Sequence, residues 1–244
     1  MFKLKLRKLN ASNSTNKELK SLLNNNKLKS GDGIWTLNQT DGFGQRGSAW
    51  KAQANKHLAL SFFYKFENLN PKWIFSINSA CSLAVLETLS HFNVNRLSVK
   101  WPNDILAGNK KICGILAENQ INELKIKSIV GIGINLYEKS FSNLPFATSL
   151  FIETYKSPLI DYFIKILSEN IIIYLNKCND ASVKKLNKIF NKNLYLYKKQ
   201  VKFERKGKIF DAKIIKVRMD GMLELKLKNG NLKTFQAKEI KLIF

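Results

Sequence analysis

The residues that decide the fold are Lys100-Trp101-Pro102-Asn103-Asp104-Ile105-Leu106 and, after a short gap, Lys110-Lys111-Ile112-Cys113-Gly114-Ile115-Leu116-Ala117-Glu118. Two short apolar segments flank a turn at 107–109, whose Gly and Asn favour a β-hairpin. Polar side chains interrupt these otherwise apolar strands at Lys100, Asn103, Asp104 and Lys111. Because buried ions need partners, a cation and a carboxylate this close predict either a binding cleft or a structural ion pair at a sheet edge.

Composition places the chain among globular proteins. Its 244 residues are 45% apolar and 24% charged. A chain of this length is long enough for one large domain and one small one. We find no apolar run near the roughly 20 residues that span a bilayer, and no signal peptide, so no membrane partner is expected. The three cysteines, Cys81, Cys113 and Cys178, show neither zinc spacing nor a disulfide framework. These features predict a cytoplasmic protein.

The charge is strongly basic, with 41 Lys and Arg against 18 Asp and Glu, a formal net charge of +23. A basic surface attracts nucleic acids, acidic proteins and anionic substrates. The chain is also crowded with Lys, Asn and Ile, a bias that AT-rich coding produces without selection for binding. The sequence leaves open whether the charge is functional or compositional.

The alternation of polar and apolar residues predicts an α+β fold. Helices are expected at 17–23, 71–92, 158–177 and 181–190, strands at 32–40, 58–66 and 124–136, and a loop at 144–152. From about residue 195 short alternating segments are separated by turn signals, including Asp220-Gly221 and Asn229-Gly230. We therefore expect a mixed β-sheet flanked by helices over 1–192, and a small SH3-like β-barrel of about five strands over 193–244.

Two glycine-rich segments suggest ligand contact. Residues 42–47 match the dinucleotide pattern G-x-G-x-x-G, but the preceding strand is too polar and no helical stripe follows. A loop that brings backbone amides near an anion is the better interpretation. Gly131 and Gly133 lie inside a predicted strand, where glycines indicate close approach of a ligand or a packed bulge. No nucleophile elbow, P-loop or metal-ligand cluster is present.

Taken in order, five segments resemble biotin protein ligases, and the resemblance covers nearly the whole chain. They are Ser14-Thr15-Asn16, Gln39-Thr40 with Gly42-x-Gly44-x-Arg46-Gly47-x-x-Trp50, Lys100-Trp101-Pro102-Asn103-Asp104, Lys111-x-x-Gly114-Ile115-Leu116-x-Glu118, and Gly131-x-Gly133-Ile134-Asn135. The chain departs from the family in the glycine-rich loop, where Phe43 and Gln45 replace two arginines. Whether Gln45 or Arg46 then holds the activated intermediate stays open.

The resemblance implies an enzyme that joins biotin to ATP as biotinyl-5'-AMP and passes biotin to a lysine of a carrier domain. It implies catalytic roles for Lys111, Arg46 and Asp104. It places biotin against Ser14, Thr15, Asn16, Gln39, Gly42, Gly44, Gln45, Lys111 and Gly114. It places ATP and the adenylate against Gln45, Arg46, Trp50, Asn103, Lys111, Gly133 and Asn135. Mg²⁺ is expected with the ATP phosphates and not on a side-chain cluster.

The expected partner is a biotin carboxyl carrier domain, with a homodimer left open. Asp104 either orients the acceptor lysine or pairs with Lys111. Only about a dozen residues precede Ser14, too few for a helix-turn-helix domain, so no specific DNA binding is expected. Two alternatives remain: a lipoate-protein ligase-like acyl ligase, and a basic RNA-binding module without enzymatic activity.

Overall fold

The computed structural model describes residues 3–25, 27–44, 49–50, 53–67, 69–123, 125–142 and 144–243. Nine strands precede residue 136 in these ranges: β1 (Lys5–Lys8), β2 (Asp32–Thr36), β3 (Gly42–Phe43), β4 (Ala49–Trp50), β5 (His57–Phe66), β6 (Leu97–Lys100), β7 (Asp104–Ala107), β8 (Lys110–Asn122) and β9 (Lys125–Asn135). Seven of these described strands form a mixed sheet in the order β1-β2-β5-β9-β8-β7-β6, while β3 and β4 pair separately. Only β1 and β2 run parallel among the described pairs of this sheet.

Helices cover both faces of the sheet. The described helices are α1 (Thr15–Asn24), α2 (Phe75–His91), α3 (Leu150–Thr154), α4 (Ile160–Leu175) and α5 (Val183–Lys192). Helix α2 packs with α4, α5 and the sheet around the main core, and α1 packs on the opposite face through Leu19 and Leu23. This second face, on which α1 covers only part of the sheet, carries the cavity described below.

The C-terminal residues form an antiparallel sheet of five described strands in the order β13-β12-β11-β10-β14. Their bounds are β10 (Gln200–Arg205), β11 (Lys208–Val217), β12 (Leu223–Leu227), β13 (Leu232–Phe235) and β14 (Lys241–Leu242). The turns at Gly221 and Gly230 have φ of 86° and 85°, a conformation that favours glycine. The α+β fold class is confirmed, while the domain boundary at 192/193 stays a prediction.

The predicted hairpin is present, with β7 and β8 joined at 108–109, but the structure adds a second turn. Strand pairing stops at Lys100 and resumes at Asp104, so Trp101-Pro102-Asn103 is a turn, and the Trp101–Pro102 peptide bond is cis. Proline has no N–H to donate to a sheet, which is why the strand breaks there. The prediction of a loop at 144–152 was wrong at its end, because α3 begins at Leu150.

One prediction about apolar length needs correction. The helical segment Pro71–His91 is 21 residues long and apolar enough to cross a membrane by length and composition alone. Most of it is buried inside the protein, with residues such as Ile77, Ala84 and Leu89 fully enclosed by the sheet and α4. Its apolar character therefore serves the core of the domain.

Candidate active site

A cavity of about 230 Å³ opens on the α1 face of the main sheet. It is lined by Ser14, Thr15, Asn16, Gln39, Phe43, Gly44, Trp50, Ala59, Pro102, Asn103, Asp104, Lys111, Gly114, Ile115, Leu116, Gly131, Ile132, Gly133 and Lys238. Most of the residues selected from the sequence therefore meet in one place, although they come from positions spread over more than a hundred residues.

The floor of the cavity is made of small residues in register across neighbouring strands. Gly114 on β8 pairs with Gly133 on β9, which pairs in turn with Ala59 on β5. One row further, Gly131 lies beside Ser61. Because cross-strand partners point to the same face of a sheet, these residues leave a shallow floor on which larger groups can lie.

Lys111 reaches this face because β8 contains a bulge. Leu106 pairs with Lys111 and Ile105 with Cys113, so Ile112 is the extra residue. In a regular strand Lys111 and Gly114, three residues apart, would point to opposite faces. The bulge reverses that alternation, and a Cβ on Gly114 would lie 3.2 Å from Lys111 Nζ. The bulge thus delivers the lysine into the cavity.

Lys111 forms an ion pair with Asp104, with Nζ 2.6 Å from Oδ1. Asp104 is the cross-strand partner of Gly114, which explains why the two side chains meet. The side chains are 36% and 23% exposed, so the pair lines an open cavity and is not sealed in the core. Of the two interpretations of Asp104, the ion pair is the one seen here, and it presents a cation to an incoming anion.

Trp50 covers the floor. A Cβ added to Gly133 would lie 2.8 Å from Trp50 Cε2, and one added to Gly114 would lie 3.1 Å from Cζ3. The Lys111 ammonium lies 5.3 Å from the centre of the indole ring, within cation–π distance. The buried indole Nε1 has no hydrogen-bond partner among the described atoms, so a ligand here could supply an acceptor. We call Trp50, Asp104 and Lys111 the charged wall.

The opposite side of the cavity is lined by Thr15, Asn16 and Gln39, which form a hydrogen-bonded network with the fully buried Ser61. We call these four residues the polar wall. Gln39 Oε1 accepts from the Thr15 backbone N–H at 2.9 Å and from its hydroxyl at 3.2 Å. The Ser61 hydroxyl lies 2.7 Å from Thr15 Oγ1 and 2.6 Å from Asn16 Oδ1. The buried side chains thus hold one another in fixed positions, which suits recognition of a polar ring.

The network begins at the predicted helix cap and extends to the motif glutamate. Ser14 caps α1, its Oγ accepting from Lys17 N–H at 3.4 Å. The Asn16 amide donates to Glu118 Oε2 at 3.0 Å, and Glu118 also pairs with Lys20. The residues at the start of α1 therefore cap the N-terminus of the helix and also present their side chains to the cavity.

Other predicted site residues have structural contacts. The Asn103 amide donates to the Ile115 carbonyl at 2.6 Å, tying the turn before β7 to β8. The Asn135 amide donates to the Thr148 carbonyl, and Asn135 is not among the described residues that line the cavity. Gly42 packs against Gln39, where a Cβ would meet the Gln39 amide. Gln45 and Arg46 lie outside the described residues.

Two described residues at the site were missed from the sequence. Ser61 is fully buried and its one signal is a hydroxyl inside the apolar strand β5. Lys238 lies in the turn between β13 and β14 and lines the same cavity, more than a hundred residues from the nearest motif. Nothing local in the sequence distinguishes it from the other lysines.

The cysteine of β8 is not a candidate nucleophile. Cys113 is completely buried, and burial raises the pKa of its thiol well above the ordinary value, so it is not available as a thiolate. Within those ranges no group of three His, Cys, Asp or Glu side chains could hold a metal ion. The Lys111–Asp104 pair and the polar wall suit a reaction driven by positioning and charge.

Comparisons with known proteins identify a family and several relatives of the chain. Residues 9–135, about half of the chain, match the model of the Biotin/lipoate A/B protein ligase family. The chain is 33% identical over 110 residues to the Bifunctional ligase/repressor BirA of Escherichia coli (strain K12), covering 45% of this chain and 34% of that protein. It is 31% identical over 124 residues to the Biotin--[acetyl-CoA-carboxylase] ligase of Mycobacterium tuberculosis, covering 49% and 45%. The matches thus span less than half of these relatives.

Solved structures extend the likeness over the whole fold. The Biotin protein ligase from Aquifex aeolicus in complex with biotin and ATP superposes with a TM-score of 0.80 at 26% identity, covering 99% of both chains. The Biotin Acetyl Coenzyme A Carboxylase Synthetase from Helicobacter pylori, at 23% identity, shares the fold with a TM-score of 0.62, covering 95% of this chain and 100% of that one. On the match over residues 9–135, which is half of the chain, the chain belongs to the Biotin/lipoate A/B protein ligase family.

Proposed function

We propose that this protein is an ATP-dependent biotin protein ligase. In the first step a biotin carboxylate oxygen attacks the α-phosphorus of ATP. The bond to the oxygen bridging the α- and β-phosphates breaks, and pyrophosphate leaves with the electron pair. In the second step a carrier lysine amine attacks the acyl carbon of biotinyl-5'-AMP and loses a proton, and AMP leaves.

The observation that carries the proposal is the Lys111–Asp104 pair, which faces the polar wall across a floor of glycines. The attacking group is the substrate's own carboxylate, so the protein must supply positioning and charge and needs no nucleophile. The lysine cation would neutralise negative charge where the carboxylate and phosphate oxygens come together. Trp50 and the segment at 42–50 would shield the reactive anhydride from water.

The remaining predicted residues divide into those that would bind biotin, in the polar wall, and those that would bind the adenylate, near the charged wall. Thr15, Asn16 and Gln39 would hold the polar ring of biotin, with Ser61 fixing Thr15 and Asn16 in position, and Trp50 with Gly114 and Gly133 would hold the adenylate. Gln45 and Arg46 keep their proposed role beside the intermediate. Mg²⁺ would enter as the MgATP complex, bound by phosphate oxygens.

We also propose a biotin carboxyl carrier domain as acceptor and a cytoplasmic location. The Mycobacterium tuberculosis relative is named for the acetyl-CoA carboxylase that it acts on, which supports this class of acceptor. The three cysteines are free, buried thiols, which fits a reducing compartment. The +23 charge would steer an acidic carrier domain to the site. A homodimer stays a prediction.

The test is ATP–pyrophosphate exchange with purified protein. We expect exchange when biotin is present, little with lipoate, and none without either acid. Exchange driven by lipoate and not by biotin would identify the acyl-ligase alternative. Salt-sensitive RNA binding without any exchange would instead favour the nucleic-acid alternative.

A further inference from the structure

Positive charge is concentrated in one part of the chain, at α5 and the first two strands of the C-terminal sheet. Residues 183–216 contain 12 of the 41 Lys and Arg residues but only 2 of the 18 Asp and Glu residues. This segment, 34 of the 244 residues, therefore carries +10 of the formal net charge of +23. A uniformly lysine-rich composition would spread the excess along the chain, so composition alone does not account for this segment.

Four exposed lysines of α5 lie on one side of the helix: Lys184, Lys185, Lys188 and Lys192. With 3.6 residues per turn, these positions fall within an arc of about 100°, and the row at 184, 188 and 192 extends along about 12 Å of helix. The helix contains no acidic residue, and none of the ion pairs among the described residues involves these four lysines. We call the four lysines the basic face.

The packing of α5 fixes the direction of the basic face. On the other side of the helix, Leu186 and Phe190 are buried, and the Phe190 ring meets Phe75 of α2 edge-on, with centroids 5.5 Å apart. The buried Asn191 side chain accepts from the Val217 N–H at 2.6 Å and donates to the Val217 carbonyl at 2.9 Å. Because α5 is fastened to α2 and to the end of β11, its lysines point away from the core.

The basic face brings no evident structural benefit. Lysines four residues apart on a helix repel one another, and α5 offers no carboxylate to offset the repulsion. Two further exposed lysines lie beside β11, where the Lys198 N–H donates to the Ile214 carbonyl and the Ile214 N–H donates to the Lys199 carbonyl. A bound polyanion would relieve the repulsion among these cations.

The basic face lies away from the active site. Helix α5 packs against α2, on the face of the main sheet opposite to α1 and the cavity. A carrier domain bound to the basic face could not present its lysine to Lys111 from there. The local charge therefore suits a partner other than the acceptor of biotin.

We propose that the basic face binds the phosphates of double-stranded DNA without sequence preference. Duplex DNA carries one negative charge per about 1.7 Å of its axis, so a straight row of cations can meet several phosphates. Lysine contacts to phosphates position a protein on DNA but carry no sequence information. Single-stranded nucleic acid is held by exposed aromatic side chains, and the exposed arc of α5 has none. This binding is separate from the proposed ligase activity.

The test is a fluorescence anisotropy titration of a short labelled DNA duplex of mixed sequence, repeated across a salt series. The variant is Lys184→Gln/Lys188→Gln/Lys192→Gln, because glutamine removes the charge and is nearly as good a helix former as lysine. We expect the Kd to rise by about tenfold or more. The slope of log K against log salt should become shallower by about 2 to 3, since each phosphate contact contributes about 0.9.

The matched control removes the same number of charges elsewhere. Lys27, Lys125 and Lys127 are exposed and lie outside α5 and the C-terminal sheet. Lys27→Gln/Lys125→Gln/Lys127→Gln should change the Kd by about twofold or less, and both triple variants should keep the wild-type rate of biotin-dependent exchange. The DNA titration uses neither biotin nor ATP, so its result does not depend on the proposed function.

Equal losses of affinity in the two triple variants would overturn the proposal, because binding would then follow net charge alone. Absence of DNA binding by the wild-type chain at about 0.1 M salt, where screening still leaves contacts between neighbouring charges, would also overturn it. Tighter binding to polyglutamate or to anionic lipid vesicles than to the duplex would assign the basic face to an acidic protein or a membrane surface and contradict the proposal.

Discussion

The polar wall and the charged wall lie on opposite sides of the same glycine floor, but different interactions hold their side chains in place. In the polar wall, Gln39, Thr15, Ser61 and Asn16 satisfy one another through hydrogen bonds of 2.6–3.2 Å. In the charged wall, a partly exposed ion pair and an indole whose N–H has no partner among the described residues face the cavity. The first wall is organised before a ligand arrives, whereas the second keeps charge and a donor available for one.

This difference matches the needs of the two proposed substrates. A neutral polar ring is recognised by fixed donors and acceptors, because a misplaced partner leaves a buried group unpaired. A phosphate in a displacement changes its charge distribution during reaction, and cations near the developing charge lower the barrier. Variants in the two walls should therefore change different kinetic constants.

The largest expected effect is in the charged wall. Lys111→Ala should lower the rate of biotin-dependent exchange by about 100-fold or more, since removing one such electrostatic contact costs on the order of 3 kcal/mol in the barrier. The midpoint of thermal unfolding should change little, because the side chain is part-exposed. Lys110→Ala, at the exposed neighbouring position, is the control. Near-normal exchange in Lys111→Ala would remove this residue from the mechanism.

The second largest effect is expected from a substitution in the glycine floor of the cavity. Gly133→Ala would place a methyl group 2.8 Å from Trp50 Cε2, so the indole must move. We expect kcat/KM for ATP to fall between about tenfold and 100-fold, as for an ångström-scale displacement of a positioning group. A double-mutant cycle with Trp50→Ala tests the cause. If the clash with Trp50 is responsible, Gly133→Ala should have little further effect on kcat/KM in the Trp50→Ala background. Fully additive effects of the two substitutions would show that the clash is not the cause.

The polar wall should respond through biotin alone. Ser61→Ala removes the hydroxyl shared by Thr15 and Asn16 and leaves their oxygens with one partner fewer. We expect the KM for biotin to rise by about five- to tenfold, with the KM for ATP unchanged. Steady-state exchange at varied biotin and at varied ATP measures both constants. Equal changes in the two constants would show that the walls do not act separately.

The smallest effect is expected from a surface ion pair near the cavity. Lys17 Nζ lies 2.8 Å from Asp41 and 5.1 Å from the centre of the Phe43 ring, but the paired side chains are 59% and 68% exposed. Exposed pairs contribute little because water and salt screen them. Lys17→Ala should therefore change the exchange rate by about twofold or less. A tenfold loss would mean that Lys17 acts as a site residue.

Local rules predicted much of this architecture. Ser14 as a helix cap, Pro71 at the start of the short 3-10 helix Pro71–Trp73 ahead of α2, and the glycine turns at Gly221 and Gly230 follow from the preferences of single residues. The α+β fold class was predicted from local patterns of the same kind, and it is confirmed. The motifs were recognised by their resemblance to a known family.

The rest depends on contacts that no local pattern encodes. Lys111 reaches the site through a bulge set by pairing with β7, and a regular strand would have turned it away. Ser61 looks like an ordinary strand residue until Thr15 and Asn16 are brought against it. Lys238 reaches the cavity only because the C-terminal sheet docks there, where the Trp101 indole N–H donates to the Gly221 carbonyl at 2.9 Å.

The measurement closest to the central claim is a mass determination after a single turnover with biotin and ATP but no carrier domain, quenched in denaturant. If the site works by positioning and charge, biotinyl-5'-AMP should appear as a free small molecule, near one equivalent per active site. The protein mass should be unchanged. A stoichiometric biotinyl or adenylyl adduct on the chain, or the absence of biotinyl-5'-AMP, would contradict the account.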